Sequence, residues 1–311
     1  MKPVVFVVGA QKSGTSTLYR MLAEIPEVCG SVPKEPNFFS RRENLERPED
    51  YWRHFDPASR ERCEALLEAS TSYLAEPYVP SRIAHALRER ARLIAILRDP
   101  VDRTYSAYLH LVKRFDETRP FEAVVGGLGG GESAIAADEE RRLEQAIRLG
   151  HARLDRYVGR YDDPRWPFRY VSNSYYTSAI RRYEALFGED RLLLLRFTDL
   201  RNRPHETLRR VANFLQLSRL TLPDAPDLHA NPTRLPRTGF VPRLTRRWAG
   251  RWMRDTPHHT TRLARALRRV AYRPPPSLPP RSRFQLESLF ADEKRSLDER
   301  YGLRFEDQAP R

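Results

Sequence analysis

The sequence contains few cysteines and no long apolar run. Cys29 and Cys63 are its only cysteines, so we expect no disulfide framework and a location in the reducing cytoplasm. No hydrophobic stretch approaches the roughly 20 residues that a membrane-spanning helix needs. The apolar run near the N terminus starts after Lys2-Pro3 and ends at Gly9, which is too short for a secretory signal peptide. No period repeats along the chain, which argues against a solenoid.

Acidic residues are in deficit. The chain has 41 Asp and Glu against 55 Lys and Arg, which gives a net charge of +14. The resulting positive field attracts anions such as nucleotides, acidic glycans and acidic lipids without selecting among them. Lysine is also scarce, since it occurs only at positions 2, 12, 34, 113 and 294. In so arginine-rich a sequence, Lys12 and Lys34 mark places where a compact ammonium is preferred to a guanidinium.

The remaining composition is that of a globular protein. Hydrophobic residues make up 40% of the 311 positions, which excludes a disordered chain and is enough for one large core. Helical and strand patterns alternate along most of the sequence. We therefore predict a single domain over residues 1–311 with an α/β fold, a doubly wound sheet of mainly parallel central strands flanked by helices.

The first apolar run leads into a glycine-containing loop. Val4 to Val8 read as a buried strand, and apolar residues at helical spacing predict a helix from Thr15 to Ile25. We call residues 9–16 the phosphate-binding loop; they are Gly9-Ala10-Gln11-Lys12-Ser13-Gly14-Thr15-Ser16. Such a loop exposes backbone N–H groups at the positive end of a helix dipole and so forms an anion site. The alternative is a plain glycine turn with a solvated lysine.

The loop departs from the nucleotide-triphosphate pattern G-x-x-x-x-G-K-[ST]. Gly9, Gly14 and Ser16 keep the spacing, but Thr15 replaces the lysine, which stands earlier at Lys12. In NTPases the lysine after the second glycine reaches the β- and γ-phosphates. A lysine on the shoulder of the loop favours a ligand with a single 5′-phosphate.

An acid and a base stand beside an aromatic pair in residues 34–39, Lys34-Glu35-Pro36-Asn37-Phe38-Phe39. Pro33 and Pro36 keep this segment out of a helix. Glu35 in a partly apolar wall has the chemistry of a general base. A surface loop with a solvated ion pair and two core aromatics is the other interpretation.

A second anion-binding element follows the apolar stretch 92–97, which reads as a buried parallel strand. Ligands bind beyond the carboxyl ends of such strands, so Arg98 is expected at the same rim as the phosphate-binding loop. Pro100 suits the first turn of a helix, with Ser106 about two turns along it. Arg98 and Ser106 would hold a second phosphate. Asp99 is alternatively the Mg²⁺ carboxylate of an NTPase.

The remaining segments give coarser helix and strand patterns. We predict helical structure around Cys63–Leu67, a strand with its loop over 68–74, and a helix at 83–90. Residues 115–163 look like an insertion that covers or selects a substrate, with a helix over 138–157. Doubly wound alternation resumes with a helix at 175–187, a strand at 191–197 and a helix at 204–215. A basic, Pro/Arg-rich segment spans 218–281, and a last helix spans 282–301.

Three ordered motifs resemble the sulfotransferases that use 3′-phosphoadenosine 5′-phosphosulfate, particularly the heparan sulfate sulfotransferases and their bacterial relatives. The phosphate-binding loop is similar to that family's 5′-phosphosulfate loop, and residues 34–39 are similar to its K-E-x-x-F-F segment. Residues 97–108, from Leu97-Arg98-Asp99-Pro100 to Ser106-Ala107-Tyr108, are similar to its 3′-phosphate motif. The resemblance runs in order through most of the chain.

The resemblance implies roles for named residues. Lys12 would stabilise charge on the leaving phosphate and Glu35 would take the acceptor's proton. It implies donor-binding roles for Gln11, Lys12, Ser13, Gly14, Thr15, Ser16, Arg98 and Ser106, with Arg237 in 234–239 as a stand-in for a late lysine-glycine loop. It implies acceptor-side roles for Lys34, Phe38, Phe39 and Ser70. The chemistry needs no metal. Ala69 departs from the heparan enzymes, which carry a lysine in the matching segment, so heparan binding is not implied.

Two other classes of function compete with this interpretation. A P-loop kinase or NTPase fits the glycine spacing and Asp99, but not Thr15 or the position of Lys12. A non-catalytic polyanion binder fits the charge alone, and no nucleic-acid motif is present. We expect a glycan or small-metabolite hydroxyl as acceptor, anionic or neutral. The tryptophan-bearing stretch 243–273 is either a capping helix pair or a border of the acceptor cleft that attracts an anionic acceptor or a membrane surface.

Overall fold

A five-stranded parallel sheet is the centre of the computed structural model, which describes residues 2–217, 235–236 and 272–305. The strands lie in the order β2-β3-β1-β4-β5. They are β1 (Val4–Gly9), β2 (Val28–Gly30), β3 (Ala65–Glu68), β4 (Ala91–Leu97) and β5 (Leu192–Arg196). A short antiparallel pair, β6 (Leu235–Pro236) with β7 (Tyr272–Arg273), lies apart from this sheet.

Helices cover both faces of the sheet. Every residue of β1 is buried, and β4 is buried except at Arg92, which explains why both strands read as continuous apolar runs. The described helices are α1 (Thr15–Ala23), α2 (Pro57–Arg62), α3 (Val79–Leu87), α4 (Pro100–Lys113), α5 (Phe121–Val125), α6 (Glu132–Arg148), α7 (Tyr176–Phe187), α8 (Phe197–Asn202), α9 (Pro204–Leu215) and α10 (Pro280–Tyr301). The predicted α/β class with a doubly wound parallel sheet is confirmed.

Most predicted elements are present with small changes of boundary. Helix α9 has the predicted bounds, and α1, α7, β4 and β5 end within two residues of theirs. Helix α3 starts four residues earlier than predicted. The charged helix predicted at 138–157 is α6, which occupies 132–148 because Gly150 and the turns after it end the helix.

Two adjoining predictions were wrong, and the strand predicted within 68–74 lies at 65–68, so that only Glu68 of the predicted range belongs to it. The segment Cys63–Leu67 is not helical, because Ala65–Glu68 forms β3 between β1 and β2, with Leu66 opposite Val4 and Cys29. All four residues of β3 are buried. Their helix-favouring composition is overridden by the two neighbouring strands, which supply backbone partners on both sides.

The two cysteines correct another expectation. Cys29 on β2 and Cys63 just before β3 form a disulfide, with Cα atoms 5.9 Å apart. The parallel pairing of β2 with β3 brings the two positions together.

Residues 115–163 pack onto the domain. Phe121, Ile135 and Leu143 share one buried apolar cluster with Leu111 of α4 and Phe290 of α10. The predicted role of residues 115–163 as a substrate cover is not tested by this packing and remains a prediction. Arg237 and residues 243–271, for which the sequence allowed functional roles, lie outside the described residues.

No helix within the described ranges is long and apolar enough to cross a membrane.

Candidate active site

The phosphate-binding loop leaves the carboxyl end of β1 and ends at the first turn of α1. Gly14 precedes the helix with φ at +91°, and a Cβ there would lie 2.7 Å from the ring of Phe197. Only glycine fits both restrictions. Helix α1 then begins at Thr15, so its first backbone N–H groups, which have no carbonyl partner within the helix, face the loop.

Two hydrogen bonds fix the loop to its neighbours. The Ala10 N–H donates to the Ile96 carbonyl at 2.8 Å, which ties the loop to β4. The Arg103 Nε donates to the Gln11 carbonyl at 3.2 Å, which ties it to α4. Within the described residues the Ser13 hydroxyl is buried and has no hydrogen-bond partner. A polar ligand in the loop would supply one.

Lys12 lies in a strongly positive environment. Its backbone has φ at +73°, a conformation that is uncommon outside glycine and that clusters at functional sites. Burial, followed by the charges of Lys113, Arg98, Arg103 and Arg114, lowers the pKa of Lys12 to about 8. Lys12 forms no ion pair with any described carboxylate. An anion is therefore the expected ligand of this site.

His110 on α4 lies in the same positive electrostatic potential as Lys12. Burial lowers its pKa to about 3, and the charges of Lys12, Arg114 and Lys113 act in the same direction. His110 is therefore neutral at physiological pH. Positive groups from the loop and from α4 converge on this region, as an anion-binding site requires.

Arg98 stands at the carboxyl end of β4, one residue before the N-cap of α4. Its guanidinium lies 3.7 Å from Asp102 and 5.4 Å from the ring centre of Phe197. Ser106 is buried two turns along the same helix. The prediction that Arg98 lies on the same rim as Lys12 agrees with its effect on the pKa of Lys12.

Asp99 has structural partners. Its side chain accepts from the Asp102 N–H at 3.0 Å, which caps α4, and it lies 2.8 Å from the Lys294 ammonium. A carboxylate held in this way is occupied by a cap and a cation. Among the described residues, no three His, Cys, Asp or Glu side chains group as a metal site.

The segment that carries Glu35 is bound to the loop after β3. The Ala69 N–H donates to the Lys34 carbonyl at 3.0 Å, and the Asn37 N–H donates to the Ser70 hydroxyl at 3.0 Å. The Lys34 ammonium donates to Glu35 Oε1 at 2.7 Å, and about 38% of the Glu35 side chain is exposed. The Glu35 side chain is thus accessible and lies on a backbone that is fixed by hydrogen bonds.

Tyr161 places Glu35 near the cationic groups. Burial raises the pKa of Tyr161, and the negative charge of Glu35 raises it further, whereas the charge of Arg114 lowers it. The charge of Arg114 also lowers the pKa of Lys12. Glu35 and Arg114 are therefore both within electrostatic reach of Tyr161.

Three residues expected on the acceptor side are buried instead. Phe38 and Phe39 are 4% and 1% exposed and pack with Tyr51 in the core. Ser70 is fully buried and holds Asn37. These three side chains pack against or bond the segment that carries Glu35, and their predicted contact with an acceptor remains a prediction.

Sequence reasoning missed Glu68, the last residue of β3. It is fully buried, and burial raises its pKa to about 8. The hydroxyls of Tyr73, Tyr51 and Ser70 lower this pKa and so offset part of the effect of burial. Neither carboxyl oxygen has a well-aligned hydrogen bond within the described residues. Glu68 is consequently neutral over most of the physiological range.

Arg103 on α4 was also missed. Its side chain is 1% exposed and donates to the carbonyls of Gln11 and Tyr170 and to the Ser174 hydroxyl, at 3.2, 3.0 and 3.3 Å. No described carboxylate forms an ion pair with it. The signal that would have found it is its position one turn after Asp99, on the face that α4 turns inward.

A cavity of about 330 Å³ opens beside the loop. We call it the α6–α7 cleft, because those helices form two of its walls and the loop residues Ala10 and Gln11 form a third. Glu139 of α6 accepts from the backbone of Val171 and Ser172 at 2.7 and 3.1 Å, which fixes the floor between the helices. The cleft can hold a second substrate next to a bound anion.

Comparison with known proteins agrees with this arrangement. The profile of the sulfotransferase domain family matches residues 2–225. The chain is 28% identical over 218 residues to human bifunctional heparan sulfate N-deacetylase/N-sulfotransferase 3, an alignment that covers 68% of this chain and 22% of the relative. It is 25% identical over 246 residues to the mouse N-deacetylase/N-sulfotransferase 1, covering 76% of this chain and 24% of the relative. The chain thus spans under a quarter of the length of these relatives.

Among solved structures, the chain is similar to the crystal structure of a sulfotransferase from Alicyclobacillus acidocaldarius. The two share 24% identity, the match covers 98% of each chain, and the TM-score is 0.63. This likeness shows the fold. The profile match covers well over half of the chain, and we conclude that the chain belongs to the sulfotransferase domain family.

Proposed function

We propose that this protein transfers the sulfonate of 3′-phosphoadenosine 5′-phosphosulfate to an acceptor hydroxyl. The observation that carries the proposal is Lys12, a partly buried ammonium in a phosphate-binding loop, with a pKa lowered to about 8 and four further cationic side chains close by. Such a group is stabilised when an anion binds. Family membership supplies the reaction class.

The residues present fit that donor. Gln11, Lys12, Ser13, Gly14, Thr15 and Ser16 would bind the 5′-phosphosulfate through backbone N–H groups, the Lys12 ammonium and the unpartnered Ser13 hydroxyl. Arg98 and Ser106 would bind the 3′-phosphate. When bound, the donor supplies a sulfonate on a good leaving group, adenosine 3′,5′-bisphosphate. Arg237, proposed from the sequence as a further ligand, lies outside the described residues.

Glu35 would act as the general base. The acceptor oxygen forms a bond to sulfur, the bond from sulfur to the bridging phosphate oxygen breaks, and the acceptor's proton passes to Glu35. Lys12 offsets the charge that grows on the departing phosphate oxygen. Lys34 orients the Glu35 carboxylate, to which it donates at 2.7 Å. Positioning and electrostatics account for these steps without a metal.

The acceptor would bind in the α6–α7 cleft, which adjoins Gln11. A glycan or glycosylated metabolite is the acceptor class we propose, because the curated relatives are named for heparan sulfate. Residues 115–163, which contain α6, would select it. The disulfide between Cys29 and Cys63 removes the ground on which the sequence predicted a cytoplasmic location, and we propose that any contact with a membrane surface is peripheral.

Calorimetry tests the proposal against a kinase or NTPase. The protein is titrated with adenosine 3′,5′-bisphosphate in the presence of a metal chelator, and separately with ATP and Mg²⁺. We expect metal-independent micromolar binding of the bisphosphate. Binding of ATP that requires Mg²⁺, with no binding of the bisphosphate, would overturn the proposal. Incubation with labelled donor and an extract of the host then identifies the acceptor through its labelled product.

A further inference from the structure

Two guanidinium groups on the wall of the α6–α7 cleft lack a carboxylate partner. Arg103 has three neutral hydrogen-bond acceptors, and Arg182 of α7 forms neither a hydrogen bond nor an ion pair with any described residue. The Arg182 Nε atom is moreover shielded from solvent and unpartnered. An unpaired, partly desolvated guanidinium is costly unless a ligand completes its hydrogen bonds.

The other charged groups of the cleft are already engaged. Glu140 pairs with Arg165, and Arg169 lies 2.6 Å from Asp163. Glu132 accepts from the Ser178 hydroxyl at 2.8 Å.

The side chains that line the cleft include three arginines, Arg103, Arg169 and Arg182, against two glutamates, an excess of one positive charge, and the charge of the buried Glu139 also acts on Arg103. This excess favours an anionic occupant.

A second buried nitrogen on the cleft wall that has no partner among the described residues is also a donor. Trp166 is 3% exposed, lines the cleft, and has an indole N–H with no acceptor among the described residues. A donor of this kind and a guanidinium both require oxygen atoms from a ligand. The chemistry of the cleft therefore matches an oxyanion better than an amine.

Helix α7 gives the position of Arg182 along the cleft. Tyr176, Ala179 and Arg182 follow at three-residue spacing on the face that lines it. The Tyr176 hydroxyl donates to the Arg98 carbonyl at 3.0 Å, so that end of α7 lies at the donor-binding rim. Arg182 is six residues further on, about 9 Å along the helix axis.

We propose that Arg182 binds an oxyanion, a carboxylate or a sulfate ester, on the part of the acceptor that is remote from the reacting hydroxyl. The assignment rests on the proposed function, since it takes the cleft as the acceptor site. It predicts that acidic acceptors are preferred over neutral ones of the same shape, and that the preference depends on one residue of α7 and not on the net charge of +14 alone.

The test is a binding measurement with matched probes. Protein saturated with adenosine 3′,5′-bisphosphate is titrated with 4-nitrophenyl β-D-glucoside, 4-nitrophenyl β-D-glucuronide and 4-nitrophenyl β-D-glucoside 6-sulfate. We expect at least one charged probe to bind about tenfold more tightly than the neutral one, since charge-assisted hydrogen bonds are the stronger kind. The two charged probes show whether a carboxylate or a sulfate is preferred.

Arg181 provides the matched control, because it is the exposed neighbour of Arg182 on the same helix. Arg182→Gln should abolish the preference, whereas Arg181→Gln should keep it. Equal affinity for charged and neutral probes, including no measurable binding of any, overturns the assignment, and so does an equal loss in both variants. Titration with the bisphosphate alone tests the proposed function separately, because Arg182→Gln should leave that affinity unchanged.

Discussion

The Lys34 ammonium and Glu35 Oε1 lie 2.7 Å apart, an ion pair between sequence neighbours whose backbone is bound to the loop after β3. The chain bends at residues 32–34, immediately before Glu35. The contact directs the Glu35 carboxylate and leaves about 38% of its side chain exposed to meet a substrate.

Replacement of Glu35 should remove catalysis and keep donor binding. Glu35→Gln preserves the shape of the side chain but cannot accept a proton, so we expect kcat to fall by roughly 10²- to 10⁴-fold. Affinity for adenosine 3′,5′-bisphosphate, measured by calorimetry, should stay within about twofold. Glu46→Gln, an exposed substitution nearby, is the control. A Glu35→Gln variant with near-normal kcat would remove Glu35 from the role of base.

Lys12 and Arg98 should act on different steps. Lys12→Ala should mainly lower kcat, because charge on the leaving group grows in the transition state. Arg98→Ala should mainly weaken donor binding, because a 3′-phosphate is bound equally in both states. Steady-state kinetics with varied donor separate the two effects. Unchanged donor affinity in Arg98→Ala would exclude that residue from the site.

Binding of the product adenosine 3′,5′-bisphosphate, which carries the full charge of the departed phosphate, should weaken in alkali. The pKa of Lys12 is lowered to about 8 in the free protein, so the ammonium is present below that pH and is lost above it. A bound anion favours the protonated form, and affinity for adenosine 3′,5′-bisphosphate should then fall above pH 8 by up to about tenfold per unit. Lys12→Met should bind more weakly and show no such decline. A wild-type affinity that stays constant up to pH 9.5 would contradict the assignment.

Arg103→Met should destabilise the fold and loosen the loop. The substitution leaves the Gln11 carbonyl without its donor and removes one of the three donors of the Tyr170 carbonyl, which still accepts from Thr104 and Ser174, and we expect a loss of about 1–3 kcal/mol in the free energy of unfolding. Urea denaturation measures the loss. Arg209→Met, on the exposed face of α9, is the control. Equal unfolding midpoints for the two variants would show that Arg103 is not a structural support of the loop.

Glu68→Gln should stabilise the protein more at high pH than at low pH. Burial raises the pKa of Glu68 to about 8, while the unfolded chain ionises near 4.5, so the folded state holds the proton longer. Stability from this group is full below pH 4.5 and is lost as pH rises to about 8. The gain from Glu68→Gln should be about 1–3 kcal/mol larger at pH 9 than at pH 5 by urea denaturation. An equal effect at both pH values would contradict the raised pKa.

The strands that carry the site were predictable because burial on both faces leaves a clear pattern. Val4 to Val8 and the strand before Arg98 are continuous apolar runs, and Pro100 marks the helix start. Strand β3 was not predictable, since alanine, leucine and glutamate favour a helix and only its neighbours in the sheet override that preference.

The environment of single side chains is likewise decided by tertiary packing and not by the neighbouring sequence. Arg103 and Arg182 are two arginines in a chain with many, and their sequence neighbours give no sign of burial. What distinguishes them is the absence of a described carboxylate partner, which depends on tertiary packing. Phe38 and Phe39 were recognised as a pair, but whether such a pair faces a ligand or the core is decided by the residues that surround it, here Tyr51 and Tyr73.

The bond between Cys29 and Cys63 closes a ring of chain that contains Glu35, with a sequence separation of 34 residues. A cross-link of that span stabilises a fold by about 3–4 kcal/mol through the unfolded state. It also means that a protease cut anywhere between the two cysteines leaves two fragments that stay covalently joined. A nicked protein would therefore run as one species on a non-reducing gel and as two after reduction, which gives a simple assay for whether the base-carrying segment opens in solution.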